Sequence, residues 1–210
     1  MKNELKKRTL SSIIILPIAM WLIIQGSILF ILFLFFLLLL TSYEWFKMSK
    51  NNFFKIFIGI FFLIYSFYTA FQLRDLYGFN FFIFLILVCV FTDLGGYFFG
   101  KLFKGPKLTK ISPKKTYSGV IGSFSLPILF CYIFINYVNH DYSQILNVNL
   151  FLLVLIISFI SQLGDLIISY FKRVAKVKDT GKILPGHGGI LDRIDGLIFV
   201  LPIIFFLTKL

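Results

Sequence analysis

Acidic residues are scarce in this chain: nine Asp and Glu stand against 21 Lys and Arg in 210 residues, a net charge of +12. Charged residues of both signs reach only 14%, against about 25% in soluble domains. Cysteine is nearly absent. Cys89 and Cys131 lie in separate apolar runs without Cys-x-x-Cys spacing, so they say nothing about redox compartment and read as packing residues at lipid depth, not metal ligands. No small-x-small cleavage pattern follows Ala19-Met20-Trp21, so the basic N-terminus and its apolar run are read as a retained span, not a signal peptide. Arginine is rare too: Arg8, Arg74, Arg173 and Arg193 are outnumbered by lysine, a bias that, with 29 Phe, fits nucleotide composition without a functional cause.

What remains is apolar. Hydrophobic residues make up 59% and the mean hydropathy is +0.92, above the roughly 45–50% apolar content of soluble domains. Several runs approach the roughly 20 residues that cross a bilayer. The expected architecture is all-α, a polytopic transmembrane helical bundle of seven spans: about Leu10–Ile24, Ile28–Phe46, Phe53–Phe71, Phe79–Phe99, Val120–Tyr137, Leu150–Phe171 and Ile190–Leu207. With a cytoplasmic N-terminus, alternation puts every basic residue except Arg74 and Lys209 on the inside, which is the positive-inside asymmetry. The charge therefore reads as topology and attraction to anionic lipid headgroups, not as nucleic-acid binding. The expected organisation is an N-terminal transmembrane region, 1–80, and a catalytic transmembrane region, 81–210, with cytoplasmic-side loops at 100–119 and 171–190.

Against so few acids, carboxylates at the edges of apolar runs stand out, because an intramembrane ionisable group is costly and marks function by default. Asp192 and Asp195, three apart at the start of an apolar run, would sit about 60° apart on one helix face and could share a cation. Asp165, beside Gly164 near the end of the preceding span, is the third carboxylate expected to converge there. Hard oxygens with open positions suit Mg²⁺, so Asp165, Asp192 and Asp195 are the expected metal ligands. The alternative is that Asp192 pairs with Lys172 or Arg193 at a capped helix start. Asp93, in an apolar run before Gly95-Gly96, either joins the same polar pocket or pairs with a lysine.

Two loops carry the remaining polar groups. In Pro185-Gly186-His187-Gly188-Gly189 the glycines let backbone N–H groups approach an anion ahead of a helix, a cradle for phosphate. His187 reads as a phosphate contact or orienting group more than as a proton carrier. Ser112-Pro113-Lys114-Lys115-Thr116 offers two ammonium groups and two hydroxyls behind a helix-breaking proline, enough to hold a triphosphate; its bland reading is a juxtamembrane basic loop. Arg173 and Arg193 are kept where lysine is common, which points to a need for the planar guanidinium fork.

The stretch that includes Ser169, Lys172, Arg173, Lys178, Asp179, Gly181, Leu184, Pro185, His187, Gly188, Gly189, Asp192, Arg193 and Asp195 resembles the signature of the phosphatidate cytidylyltransferases, the CDP-diacylglycerol synthases, with its spacing intact. Thr92-Asp93 through Gly96-Tyr97-Phe98-Phe99-Gly100, and Ile111-Ser112-Pro113-Lys114-Lys115-Thr116, are similar to the family's other cytoplasmic-side block. The first 80 residues resemble it only in hydropathy and in Glu44-Trp45. Two acidic positions of the pattern differ: Ile168 stands where the family has a glutamate before the signature serine, and Ser118 where its lysine-rich block ends in Glu-Gly. The chain is also short for the family, which the resemblance ascribes to fewer N-terminal spans.

The resemblance implies cytidylyl transfer from CTP to phosphatidate, giving CDP-diacylglycerol and pyrophosphate for phospholipid synthesis, with Mg²⁺ as cofactor and the site facing the cytoplasm at the inner membrane. It implies catalytic roles for Asp165, Lys172, Arg173, His187, Asp192, Arg193 and Asp195, and substrate binding by Asp93, Ser112, Lys114, Lys115, Thr116, Ser169, Lys178, Asp179, Gly188 and Gly189. Oligomeric state stays open, a homodimer included. A transporter is the main competing class, but no pair of matching broken segments recurs in the two halves. A CDP-alcohol phosphotransferase lacks support because its leading Asp-Gly-x-x-Ala-Arg element is absent. An inactive lipid-binding relative is motivated by Ile168 and Ser118.

Overall fold

A computed structural model describes residues 2–49, 52–109, 112, 115–138, 149–183 and 188–209, without the side chains of 2–12, 14 and 136–138. Among the described residues every element is a helix: α1 (Lys2–Gln25), α2 (Ser27–Met48), α3 (Phe53–Phe103), α4 (Tyr117–Val138), α5 (Leu150–Val174), α6 (Leu191–Ile194) and α7 (Leu197–Leu207). α3 is not one continuous rod. Gly78, at φ 81°, leaves helical geometry and divides it into halves of about 25 residues, each long enough at 1.5 Å per residue to cross a bilayer.

Length and apolar composition suffice for crossing in Ser27–Met48, Phe53–Phe103, Tyr117–Ile135 and Leu150–Val174; Ile15–Gln25 and Leu197–Leu207 are shorter apolar stretches. In the apolar windows of the four long helices only 22–44% of residues are buried. Phe35, Phe36, Phe53 and Phe61 are each more than half exposed, an arrangement that water would penalise and lipid accepts. The protein is an integral membrane protein with an all-α transmembrane helical bundle fold.

The expected span Ile190–Leu207 is divided. α6 is a single turn, Asp195 and Gly196 form a turn of their own, and α7 has 11 residues, about 16 Å of helix. Hydropathy ran straight through this break. Asp195 accepts its own neighbour's amide, Gly196 N–H to Oδ1 at 2.9 Å, a local bond that competes with helix continuation. The expectation that Asp192 and Asp195 share one helix face is therefore corrected: Asp192 is in α6 and Asp195 lies beyond its end.

The chain forms two compact units. The first is Met1–Phe79 with Phe171–Ile194, the second Asn80–Tyr170 with Asp195–Leu210. In the first, α1 and α2 meet at Gly26, whose φ of 62° favours glycine. Arg74 closes that corner, donating from Nε to Ile23 O (3.2 Å) and from Nη2 to Ile24 O (3.0 Å), so it satisfies carbonyls at the end of α1. Its fork is used for geometry, which a lysine would lack. Trp45 of α2 donates its indole N–H to Lys55 O at 3.0 Å and meets Phe171 edge-on at 5.0 Å. The end of α5 turns back on itself: Lys176 adopts φ 57°, Val177 N–H bonds Lys172 O and Lys176 N–H bonds Arg173 O, a Schellman stop built without glycine.

In the second unit, Gly95, Gly96 and Gly100 of α3 lie against Gly119, Gly122 and Ser123 of α4, a small-residue contact that lets the two backbones approach. Thr116 Oγ1 accepts the Gly119 N–H at 3.1 Å and so caps the start of α4. The loop before it is folded as a short pairing: Leu108 N–H to Lys115 O at 2.8 Å, Tyr117 N–H to Pro106 O at 3.2 Å, and a bridge between Lys107 and Thr116. Gly164 matters for the site, since a Cβ there would lie 2.8 Å from Asp195 O and 3.2 Å from Gly196 Cα. Only a glycine lets α5 run this close to the turn that carries Asp195.

Candidate active site

The polar groups of the second unit gather on Asp165. Lys115 Nζ lies 2.6 Å from its Oδ2, and Ser169 Oγ, one turn on along α5, donates to its Oδ1 at 3.2 Å. Side-chain exposures of 25% and 29% make this a partly solvated ion pair. Lys115 is presented by the folded loop, whose Lys115 N–H bonds Ser112 O at 3.0 Å while Ser112 N–H bonds Thr109 Oγ1 at 3.2 Å. Thr116 is spent on the helix cap and on a 3.0 Å contact with Ser118, whose hydroxyl also donates to Lys104 O. Ser118 thus closes the base of the loop where the family pattern has an acid. Ile168, at the other departing position, is buried at 2% exposure. Asp93 is exposed on α3.

In the first unit the centre is Asp192. Lys172 donates to Oδ1 at 2.8 Å, and the N–H groups of Thr180 (2.8 Å) and Gly189 (3.1 Å) both donate to Oδ2. With side chains 11% and 7% exposed, Lys172 and Asp192 form a largely buried ion pair. Burial pushes the Asp192 carboxyl up, but the hydrogen bonds from Lys172 and Thr180, the Lys172 charge and the Gly189 amide outweigh it and hold the group below its ordinary value of 3.8. The stabilisation linked to that lowering is present above the ordinary value and is lost as pH falls through the lowered one. The pairing alternative for Asp192 is the arrangement the structure contains, and Lys172 is the partner.

Gly188, at φ 88°, lies beside Asp192 and Asp179, and Gly189 is buried. Lys178 and Asp179 are exposed, as are Arg173 and Arg193; Arg173 Nη1 donates to Val177 O at 3.5 Å. Lys114 and His187 lie outside the described residues.

One residue at this centre figures in the sequence only as part of the Glu44-Trp45 resemblance and is given no role there. Glu44 of α2 is 1% exposed and takes three hydrogen bonds from the signature stretch: Thr180 Oγ1 at 3.0 Å, Ile190 N–H at 3.0 Å and Leu191 N–H at 2.9 Å. A signal existed, for Glu44 is one of nine acids and sits at the end of an apolar helix, which is the same argument that singled out Asp93. Sequence distance hid it: its partners are 136 to 147 residues away.

Comparison with known proteins matches residues 52–210 to the cytidylyltransferase family. A phosphatidate cytidylyltransferase of Rickettsia felis is 32% identical over all of this chain and 94% of its own length. That of Bacillus subtilis is 39% identical over 84% of this chain and 67% of its own. That of Staphylococcus haemolyticus is 45% identical over 60% of this chain, about half (48%) of its own. A match over three quarters of the sequence, together with a full-length relative, shows that the chain belongs to the cytidylyltransferase family.

Proposed function

We propose that the protein transfers the cytidylyl group of CTP to phosphatidate, giving CDP-diacylglycerol and pyrophosphate. The observation that carries this reading is the convergence of Lys172, Thr180 and Gly189, all from the signature stretch, on the single carboxylate of Asp192. A phosphate oxygen of the lipid attacks the α-phosphorus of CTP; the new P–O bond forms as the bond to the β-phosphate oxygen breaks, and pyrophosphate leaves with that electron pair. The lipid phosphate is already ionised at neutral pH, so the work is to align two polyanions and neutralise charge. Lys115 and Lys172 rest on carboxylates, poised to be exchanged onto phosphate oxygens. The Gly189 amide is held on Asp192 Oδ2 and serves to fix that carboxylate.

Mg²⁺ belongs to the proposal. Among the described residues no three His, Cys, Asp or Glu side chains form a group that holds a metal by themselves. Asp165, Asp192 and Asp195, expected to converge, are all described and do not form such a group, so the proposal needs substrate phosphates to complete the site. Asp165, Asp192 and Asp195 would supply the carboxylates, and the bound ion would offset charge on the departing pyrophosphate. The close approach of Gly164 to the Asp195 turn supports a shared role for Asp165 and Asp195. Asp192 would offer Oδ1 once Lys172 leaves it for a phosphate oxygen, since Oδ2 serves two amides. Purified protein given CTP, phosphatidate and Mg²⁺ is expected to form CDP-diacylglycerol, to stop with chelator and to resume with added Mg²⁺. Absence of product under these conditions sinks the proposal.

The active site is further proposed to face the cytoplasm at the inner membrane, since the basic loops 100–119 and 171–190 belong on that side. With Cys89 and Cys131 replaced, a cysteine at Gln144 is expected to react with an impermeant reagent on intact cells and one at Lys107 to be protected. The reverse pattern inverts the orientation.

A further inference from the structure

Glu44 is a buried carboxylate whose partners, among the described residues, are one hydroxyl and two amides, with no ion pair. Taking a carboxylate out of water without a cation is costly, and an apolar residue would pack α2 more cheaply. Its neighbours show that alternative in place: Trp45 and Met48 are buried apolar side chains on the same helix. The carboxylate is therefore retained for what it holds.

It holds both ends of one stretch. Thr180 opens the segment that runs to Leu191, and Ile190 and Leu191 close it, so Oε1 and Oε2 tie residues ten and eleven apart to a single point on α2. Such charge-assisted bonds are stronger than neutral ones. Asp192 ties the same ends, Thr180 and Gly189, through Oδ2. The two carboxylates differ in what else they serve: Asp192 also carries Lys172 on Oδ1, whereas among the described residues Glu44 takes its hydrogen bonds from Thr180, Ile190 and Leu191. When Lys172 is exchanged for a ligand at Asp192, Glu44 is the anchor that does not change.

We infer that Glu44 is a positioning residue for the nucleotide: it holds Thr180 together with Ile190 and Leu191 so that Asp192 and its partner Lys172 keep their places toward the CTP phosphates. This rests on the cytidylyltransferase reading. Glu44→Gln keeps the size but puts an NH₂ donor against N–H or O–H donors, whereas Glu44→Asp keeps the charge with a shorter reach. The full chain, purified in detergent, is compared by amide hydrogen exchange and by steady-state kinetics, with Thr41→Ala as a control that perturbs the same helix without touching the loop. For Glu44→Gln, exchange at Ile190 and Leu191 is expected to rise at least tenfold and KM for CTP at least tenfold, with KM for phosphatidate within about twofold. Glu44→Asp is expected to recover part of both losses, and Thr41→Ala to leave both near the parent values.

Unchanged exchange at Ile190 and Leu191 overturns the inference, as does faster exchange with an unaltered KM for CTP. An equal rise of both KM values overturns it too, because it points to general loosening. If Glu44→Gln does not fold, Thr180→Val removes one of the three bonds and must show a smaller rise of the same kind; parent behaviour there overturns the inference. A parent protein without turnover would sink the functional reading instead, and the exchange data would still decide whether Glu44 closes the loop.

Discussion

Asp192→Asn is expected to lower turnover by at least a hundredfold and to loosen the 180–191 loop, for two separable reasons. The first is electrostatic. Lys172 and Asp192 are only 11% and 7% exposed, so removing the carboxylate charge leaves an ammonium group in a largely dry site. Breaking a buried pair from one side costs about 3–5 kcal/mol, which is about two to four powers of ten in an equilibrium. The second is geometric. Asn keeps an oxygen for the Thr180 and Gly189 amides, but its NH₂ then faces Lys172 Nζ, donor against donor. The double variant Asp192→Asn with Lys172→Met separates the effects, because it removes the stranded charge. Thermal stability in detergent is expected to fall in the single variant and to return most of the way in the double, while turnover stays lost in both. A single variant as stable as the parent would show that the pair does not hold the loop.

That pairing was one of the two readings the sequence offered for Asp192; the break at Asp195 was not. The spacing of Asp192 and Asp195 suggested a common helix face, and acids three positions apart at the start of an apolar run are a fair helical argument. The turn at Asp195–Gly196 defeats it, because a side chain that bonds the next amide offers the backbone an alternative that hydropathy does not score. Legibility was good where the signal is one-dimensional. The apolar runs gave the helices, and the gap left between the runs ending at Ile24 and starting at Ile28 contains Gly26, where the structure turns with φ 62°. It was poor where the signal is a contact between distant segments. The Arg74 cap on α1 spans about 50 residues and Glu44 reaches 136 to 147 residues ahead. Asp165 was singled out from its place in an apolar run, but its partner Lys115 depends on the loop pairing of Leu108 with Lys115 and on the cap at Thr116. The scarcity of acids was nevertheless a usable guide: Glu44, Asp165 and Asp192 each hold several donors, and a chain with nine acids has few to spare for solvation.

The cleaner probe of the metal proposal is therefore the pair Asp165→Asn and Asp195→Asn, each expected to reduce turnover more than tenfold with the protein inserted and its stability nearly unchanged. Asp165 and Lys115 are 29% and 25% exposed, and an ion pair that water reaches is worth about 0–1 kcal/mol. Losing it leaves no stranded buried charge, so a fall in turnover cannot be assigned to unfolding. Asn at 165 still accepts the Ser169 hydroxyl, and Asn at 195 still accepts the Gly196 amide, so local geometry is kept while ligand charge is removed. A shared ion makes two further demands. The Mg²⁺ concentration for half-maximal turnover should rise in both variants, and the effect of combining them should be smaller than the product of the single effects, because a site already lost cannot be lost twice. If any two of Asp165→Asn, Asp192→Asn and Asp195→Asn retain more than about a tenth of parent turnover, the loss is under the roughly 1.4 kcal/mol of a tenfold change, and the carboxylates do not hold a common catalytic ion.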